Sequence, residues 1–364
     1  MTLGFSFERL AEDGEARAGR IITPHGSVET PAFMPVATYG AVRGLGPEEL
    51  AGVGAQILLA NTYHLHERPG DDTVRALGGL HGFTGWRGPW LTDSGGYQVF
   101  SLGDRMKLDD DGVTFQSPLD GARRTLTPES AVAIQEALGA DIAMALDECP
   151  PVEGDAARAR AATERTLRWA ARAARARRRE DQWFFGIVQG GAFPALRRES
   201  ALATVGIGFD GYAHGGLGLG EEPEQRADLL AEVNQVLPPE APRYAMGIGR
   251  PKDLVAAVAR GVDLFDCVLP TRHGRHGVLF SHEGLLHMRN ARFQNDGAPP
   301  DARCDCPVCA RHSRGYLRHL LQKGEMLGAR LASLHNLRFY LRLLEQARLA
   351  IREKRFSEWA GDVG

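Results

Sequence analysis

Eight short apolar runs, each closed by glycine, proline or a polar turn and most followed by a helix-like stretch, constrain this chain more than any other feature of its sequence. They are PAFMPVAT from Pro31, AQILLANT from Ala55, PWLTD from Pro89, DIAMALDE from Asp141, WFFGIVQG from Trp183, GYAHGG from Gly211, RYAMGIG from Arg243 and DLFDCVL from Asp263. Most are continuously apolar, the pattern of parallel strands covered on both faces. Between them PEELAGVG, ESAVAIQEALG, ARAATERTLRWAARAAR, EQRADLLAEVNQVL and PKDLVAAVAR read as helices. Eight strand-helix repeats in about 240 residues predict an α/β fold, a (β/α)8 TIM barrel. Residues 3–30, with GRIITPHGSVET, read as an N-terminal β-cap closing the barrel bottom. GVTFQSPLDGARRTLT reads as a hairpin insertion turning at Asp120-Gly121 between strands three and four. Past Pro270 the pattern changes to turns, a cysteine cluster and an apolar-periodic helix through Leu331, Leu334, Leu337, Leu341 and Leu344. The expected division is therefore a catalytic barrel with its cap over 1–270 and a C-terminal zinc-binding helical subdomain over 271–364.

Composition narrows the class. Hydrophobic residues at 43% and charged residues at 24% exclude disorder as the main state. No stretch approaches ~18 consecutive apolar residues, and MTLGFSFERLAEDGE has neither a basic nor an apolar leader segment, so a cytoplasmic chain without membrane contact is expected. The formal net charge of -3 hides an asymmetry: residues 1–266 carry 27 Lys and Arg against 37 Asp and Glu, and residues 267–364 carry 16 against 9. A basic C-terminal quarter beside an acidic remainder suits a nucleic-acid partner.

In a barrel of this kind chemistry sits where strands end at the C-terminal face. The polar groups falling there are Asp93 within DSGGYQ after strand three, Asp147 and Cys149 after four, Gln189 after five, Gly216 and Leu217 after six, Met246 after seven, and Asp266 at eight. Carboxylates of distinct role suggest a nucleophile paired with an acid/base group, as in retaining glycosyl transfer. Glycine turns beside an amide and a carboxylate suit a flat hydrogen-bonding heterocycle, with Tyr97 and Met246 supplying the faces of the slot. Cys304, Cys306 and Cys309 offer three thiolates for a structural metal, zinc by preference. The fourth ligand comes from His312, His319 or His335, and His335 is favoured because it would staple the long helix, which it is expected to begin, to the cysteine loop. Arg272 and Arg275, on an expected turn after strand eight, are placed to hold phosphates.

Taken together, TPHGSVETPAFMPV, NTYHL, LTDSGGYQVFSL, DECP, VQGG, GGLGLGE, MGIGRP, FDCVLPTR and the cysteine-histidine cluster resemble the queuine/archaeosine tRNA-ribosyltransferases, the tRNA-guanine transglycosylases, and specifically their bacterial branch. The resemblance runs over nearly the whole chain. It implies a pentosyltransferase that exchanges guanine at the tRNA wobble position of G-U-N anticodons for 7-aminomethyl-7-deazaguanine, in queuosine biosynthesis, through a covalent ribosyl-aspartate. It implies Asp266 as the nucleophile and Asp93 as the general acid/base. Asp147, Gln189, Gly216 and Leu217 would read the base, Tyr97 and Met246 would stack on it, and Glu221 would orient the Leu217 peptide. Arg272 and Arg275 would contact the anticodon loop, and Cys304, Cys306, Cys309 and His335 would bind one structural Zn2+. A homodimer is implied too. Cys149 and the absence of an appended C-terminal RNA-binding domain fit the bacterial form. The chain departs from the family pattern at Pro150, His214, Gly218, Leu219 and His276, none of them a proposed catalytic residue, although Gly218 and Leu219 bear on the surroundings of the aminomethyl group.

Two other readings are weighed. His64, His66, His214 and Asp266 resemble the ligand positions of a metal-dependent hydrolase barrel, but Asp147 and Gln189 stand where that site needs further ligands. A non-catalytic RNA-binding paralogue is disfavoured because Asp93 and Asp266 are both present.

Overall fold

The computed structural model describes residues 4–100, 103, 106–149 and 155–363; Pro150 lies outside them. Each of the eight apolar runs contains one strand: β1 Ala32–Pro35, β2 Leu58–Ala60, β3 Trp90–Thr92, β4 Ile142–Met144, β5 Trp183–Val188, β6 Gly211–His214, β7 Arg243–Ala245 and β8 Leu264–Cys267. All pair in parallel with their sequence neighbours, and β8 pairs with β1 from Leu264↔Ala32 to Cys267↔Pro35. A bridge Val36↔Leu59 joins β1 to β2 and completes the ring. The runs are longer than the strands because their last residues turn into the loops of the C-terminal face.

Successive side chains on a strand face opposite ways, and the core divides accordingly. Met34, Leu59, Leu91, Ile142, Met144, Phe185, Ile187, Ala213, Tyr244 and Leu264 fill the barrel, where Phe5, Ile21 and Val28 of the cap join them. Phe33, Leu58, Trp90 and Phe265 belong to the outer cluster with the helices. The cap is an antiparallel sheet of Ser6–Asp13, Ala16–Thr23 and Gly26–Thr30. It seals the N-terminal ends of the strands. Arg17 reaches under the barrel to ion-pair with the fully buried Asp263 and donates at 2.8 Å to the carbonyls of Pro239 and Ala241.

The helix Pro128–Leu138 starts as its sequence requires, with Thr127 Oγ1 accepting from Ser130 N–H and Ser130 Oγ accepting from Thr127 N–H. Three expectations are corrected. The hairpin insertion is a three-stranded sheet, because Met106–Leu108 pairs with Val113–Gln116 ahead of Arg123–Leu126. The segment after β8 is a helix, Leu269–His276, with Pro270 in its first turn where a missing N–H costs nothing, so Arg272 and Arg275 stand on a helix instead of a turn. The long C-terminal helix is Met326–Arg352, and His335 lies well inside it; Gly324 in the left-handed conformation ends the preceding helix and lets the next begin at Met326.

The long helix ties the parts together. Asn336 Nδ2 donates to Pro270 and Val278 carbonyls, both at 2.9 Å, and its Oδ1 accepts from Phe280 N–H. Further along, Arg348 donates to Pro31 C=O at 2.8 Å and Arg352 pairs with Glu29 of the cap. A Cβ on Gly274 would lie 2.6 Å from Ser333 N, so only glycine permits this crossing of the two helices.

Candidate active site

The strand ends converge on one mouth. Asp93, just after β3, is 8% exposed and held by four donors: Oδ1 accepts from Thr62 N–H at 2.8 Å and Gly95 N–H at 3.2 Å, and Oδ2 accepts from the Asn61 and Gln98 amides. Burial raises its pKa to about 6 against those hydrogen bonds, with the charge of Asp266 pushing the same way as burial. Asp266, on β8, is half-buried; its Oδ1 accepts from Tyr244 Oη at 2.6 Å and Gly247 N–H at 2.8 Å. Burial also raises the Asp266 pKa, opposed by those two donors. Among the described residues nothing donates to Asp266 Oδ2, so the carboxyl group is oriented through Oδ1 alone.

Beside this pair lies a set of hydrogen-bonding edges. Asp147, 6% exposed, accepts from Gln189 Nε2 at 2.6 Å and Ser94 Oγ at 3.4 Å, and burial raises its pKa to about 6. Gln189 is fully buried and its Oε1 accepts no hydrogen bond among the described residues. Gly216 has φ +66°, and a Cβ there would lie 2.6 Å from Gln189 Oε1. Glycine is thus required twice over, by conformation and by contact. Glu221 accepts from Gly218 N–H and, at 3.1 Å, from Leu219 N–H, and is itself paired with Arg226. A trans peptide points its N–H and C=O in opposite directions, so this bond turns Leu217 C=O away from Glu221. The Cys149 thiol is pushed up to about 12, first by burial and then by Asp147, and stays protonated.

Tyr97 stands on the helix Gly96–Phe100 with 56% of its surface exposed, and Met246 is half-buried after β7. Arg272 is exposed and Arg275 half-buried; burial lowers the Arg275 pKa, helped by the charges of Arg43 and Arg272 nearby. Sequence reasoning did not single out Asn61, Tyr244 or Arg197. Arg197 is fully buried and donates to Gly191 C=O at 2.7 Å and Gly215 C=O at 3.0 Å, clamping the loops after β5 and β6. Asn61 closes the β2 run, so its strand-end position was the available signal; Arg197 lies on the helix Pro194–Ile207 and gave none.

Cys304, Cys306, Cys309 and His335 place their ligand atoms within 4.8 Å of one another, a set able to hold one metal ion. His335 Nδ1 lies 3.2 Å from Cys309 Sγ and 3.5 Å from Cys306 Sγ, and Nε2 donates to Phe280 C=O at 2.7 Å, which keeps Nδ1 as the free lone pair. His312 stacks on Tyr316 instead, and His319 is exposed. The hydrolase constellation does not assemble. His64 packs against Tyr39 and Tyr63, His66 bonds Asp71, and His214 is buried on Asn234 with its pKa lowered to about 3, foremost by burial.

A closed (β/α)8 barrel with paired, differently solvated carboxylates beside a glycine-lined slot defines an enzyme built for nucleophilic transfer at its C-terminal face, with a separate metal-ligand cluster outside the barrel. The family described as queuine tRNA-ribosyltransferase matches residues 12–363, and the chain belongs to it. It is 55% identical to a queuine tRNA-ribosyltransferase of Thermus thermophilus over 98% of this chain and 92% of that one. It is 54% identical to one of Herpetosiphon aurantiacus, over 98% and 91%, and 51% identical to one of Thioalkalivibrio sulfidiphilus, over 98% and 96%.

Proposed function

We propose that this protein is a tRNA-guanine transglycosylase, exchanging the wobble guanine of G-U-N anticodons for 7-aminomethyl-7-deazaguanine in queuosine biosynthesis. The observation that carries the reading is the half-open Asp266, oriented through Oδ1 with Oδ2 left to react, opposite the slot of Asp147, Gln189 and Gly216 in a chain of this family. The target nucleotide leaves its stack and enters the slot. Asp147, acceptor-only when ionised, meets the N–H groups of the guanine edge, while the Gln189 amide and the glycine backbone meet its carbonyl oxygen. Asp266 Oδ2 attacks C1′ of the ribose, the glycosidic C–N bond breaks, and guanine leaves with a proton supplied by Asp93. The incoming base gives up its N9 proton to Asp93 and displaces Asp266, so configuration is retained over two displacements. A carboxyl group with pKa about 6 suits both transfers near neutral pH.

The Leu217 C=O, turned by Glu221, accepts from the aminomethyl ammonium, with Tyr97 and Met246 on the faces of the base. Arg272 and Arg275 hold phosphates of the anticodon loop in the basic segment 271–364, which we read as a tRNA-contacting subdomain packed on the barrel. The Cys3His set suits one zinc, which when bound supplies a closed structural cross-link between the long helix and the cysteine loop, with no part in the exchange. We place the enzyme in the cytoplasm as a homodimer; no described helix is long and apolar enough to cross a membrane.

The test uses unmodified G-U-N tRNA preloaded with labelled guanine. Release driven by 7-aminomethyl-7-deazaguanine, lost in Asp266→Asn while tRNA binding persists, supports the reading; release by Asp266→Asn at the wild-type rate removes Asp266 from the role of nucleophile. Release driven only by queuine or the cyano base keeps the mechanism and changes the pocket assignment.

A further inference from the structure

At the opposite end of the barrel three side chains from distant parts of the chain meet. His25 lies in the turn between the second and third cap strands, His81 on the helix Gly79–Thr84, and Asp141 immediately before β4. Their ligand atoms all lie within 4.8 Å of one another, the same limit that the Cys3His set meets. His25 Nδ1 is 2.7 Å from Asp141 Oδ1 and His81 Nε2 is 3.3 Å from Asp141 Oδ2. The two imidazoles stack with centroids 3.5 Å apart and planes 17° apart, which aims both ring edges at the one carboxylate.

We propose that His25, His81 and Asp141 form a second metal site, for a borderline divalent cation of the zinc type, that clips the cap to the barrel floor. Two imidazoles and a carboxylate are a donor set suited to such ions, and three protein ligands leave a position for water. Three observations favour an ion over a plain hydrogen-bond cluster. His81 Nε2 is shielded from solvent and faces Asp141 Oδ2 at 3.3 Å, longer than the 2.7 Å contact of His25 with the same carboxylate. Asp141 is already oriented from behind by Trp90 N–H, 2.8 Å from Oδ2, as a metal-binding carboxylate is by its outer partners. The His25 side chain is 43% exposed while Asp141 is 1% exposed, so the cluster has an entry path on one side and a dry wall on the other. The site lies at the face away from the mouth and is independent of the reaction proposed above.

Cobalt(II) titration of the metal-free full chain distinguishes the two sites. The first equivalent, bound by three thiolates, gives intense thiolate-to-cobalt charge transfer; the second is expected to give only weak visible bands of nitrogen and oxygen ligation. Zinc analysis of the fully loaded protein is expected to give two ions per chain in the wild type and one in His25→Ala and in His81→Gln. Retention of the charge-transfer equivalent in both variants shows that they fold, and zinc is expected to raise the unfolding temperature of the wild type beyond that of either. Uptake of one ion by the wild type, or a second equivalent unchanged in both variants, would overturn the proposal.

Discussion

Asp93, Asp147 and Asp266 are all pulled from the ordinary carboxylate range by burial, and each is restrained by different donors. Tyr244 is the restraint on Asp266, the proposed nucleophile. In Tyr244→Phe the Asp266 pKa is expected to rise further, so the acid limb of kcat/KM for guanine release moves to higher pH and activity recovers as the pH is raised; a pH-rate profile measures this. Asp147 carries the opposite linkage to a surface acid. Its folded pKa of about 6 exceeds the ordinary 3.8, so the folded state binds more protons between those values and stability falls as pH rises through that window. At pH 7 the buried charge costs up to about 3 kcal/mol, so Asp147→Asn is expected to unfold at higher temperature than the wild type at pH 7 but not at pH 4, while binding the incoming base far more weakly. Gly216→Ala drives a methyl against Gln189 Oε1 and strains φ; it is expected to raise KM for the base at least tenfold with tRNA affinity unchanged.

Between residues and molecule stand the elements, and here the metal set has the clearest consequence. His335 projects from the middle of the long helix onto a loop that has little regular structure of its own. Removing the ion with a chelator, or His335→Ala, is expected to lower the unfolding temperature by on the order of 10 °C and to expose the thiols to titration, with little loss of guanine release per folded molecule. The elements also show what a sequence discloses. Parallel strands buried on both faces write themselves as continuous apolar runs, and every one of the eight was legible; so were the strand-end groups, because the barrel dictates where they must face. Met106–Leu108 was not legible, being a short half-exposed strand paired across an insertion. Nor was Leu269–His276, whose proline, histidines and glycine argue locally for a turn while packing against Ser333 overrides them. Tyr244 reads as a core aromatic from its strand, and only the fold shows its hydroxyl on Asp266.

The whole molecule is organised around a sealed floor and a charged mouth. Arg17 and Asp263 are both buried beneath the barrel, so Arg17→Ala leaves a carboxylate without its partner and is expected to cost about 3–5 kcal/mol by chemical denaturation, more than the neutral pair Arg17→Met with Asp263→Asn. Under the proposed anticodon-loop contacts, tRNA affinity is expected to fall steeply with salt, and replacing Arg272 and Arg275 together to flatten that dependence by about two counter-ions. The long helix, about 40 Å from end to end, bridges these regions. Near its middle it bonds the mouth helix through Ser333 and Asn336, with the candidate metal ligand His335 between those two residues, and near its end it bonds the floor through Arg348. Such a strut denies the two faces independent opening. Backbone amides of the cap and of the Leu269–His276 helix, at opposite poles, would therefore surrender their protons to heavy water in a single cooperative event, not as two separate fraying reactions.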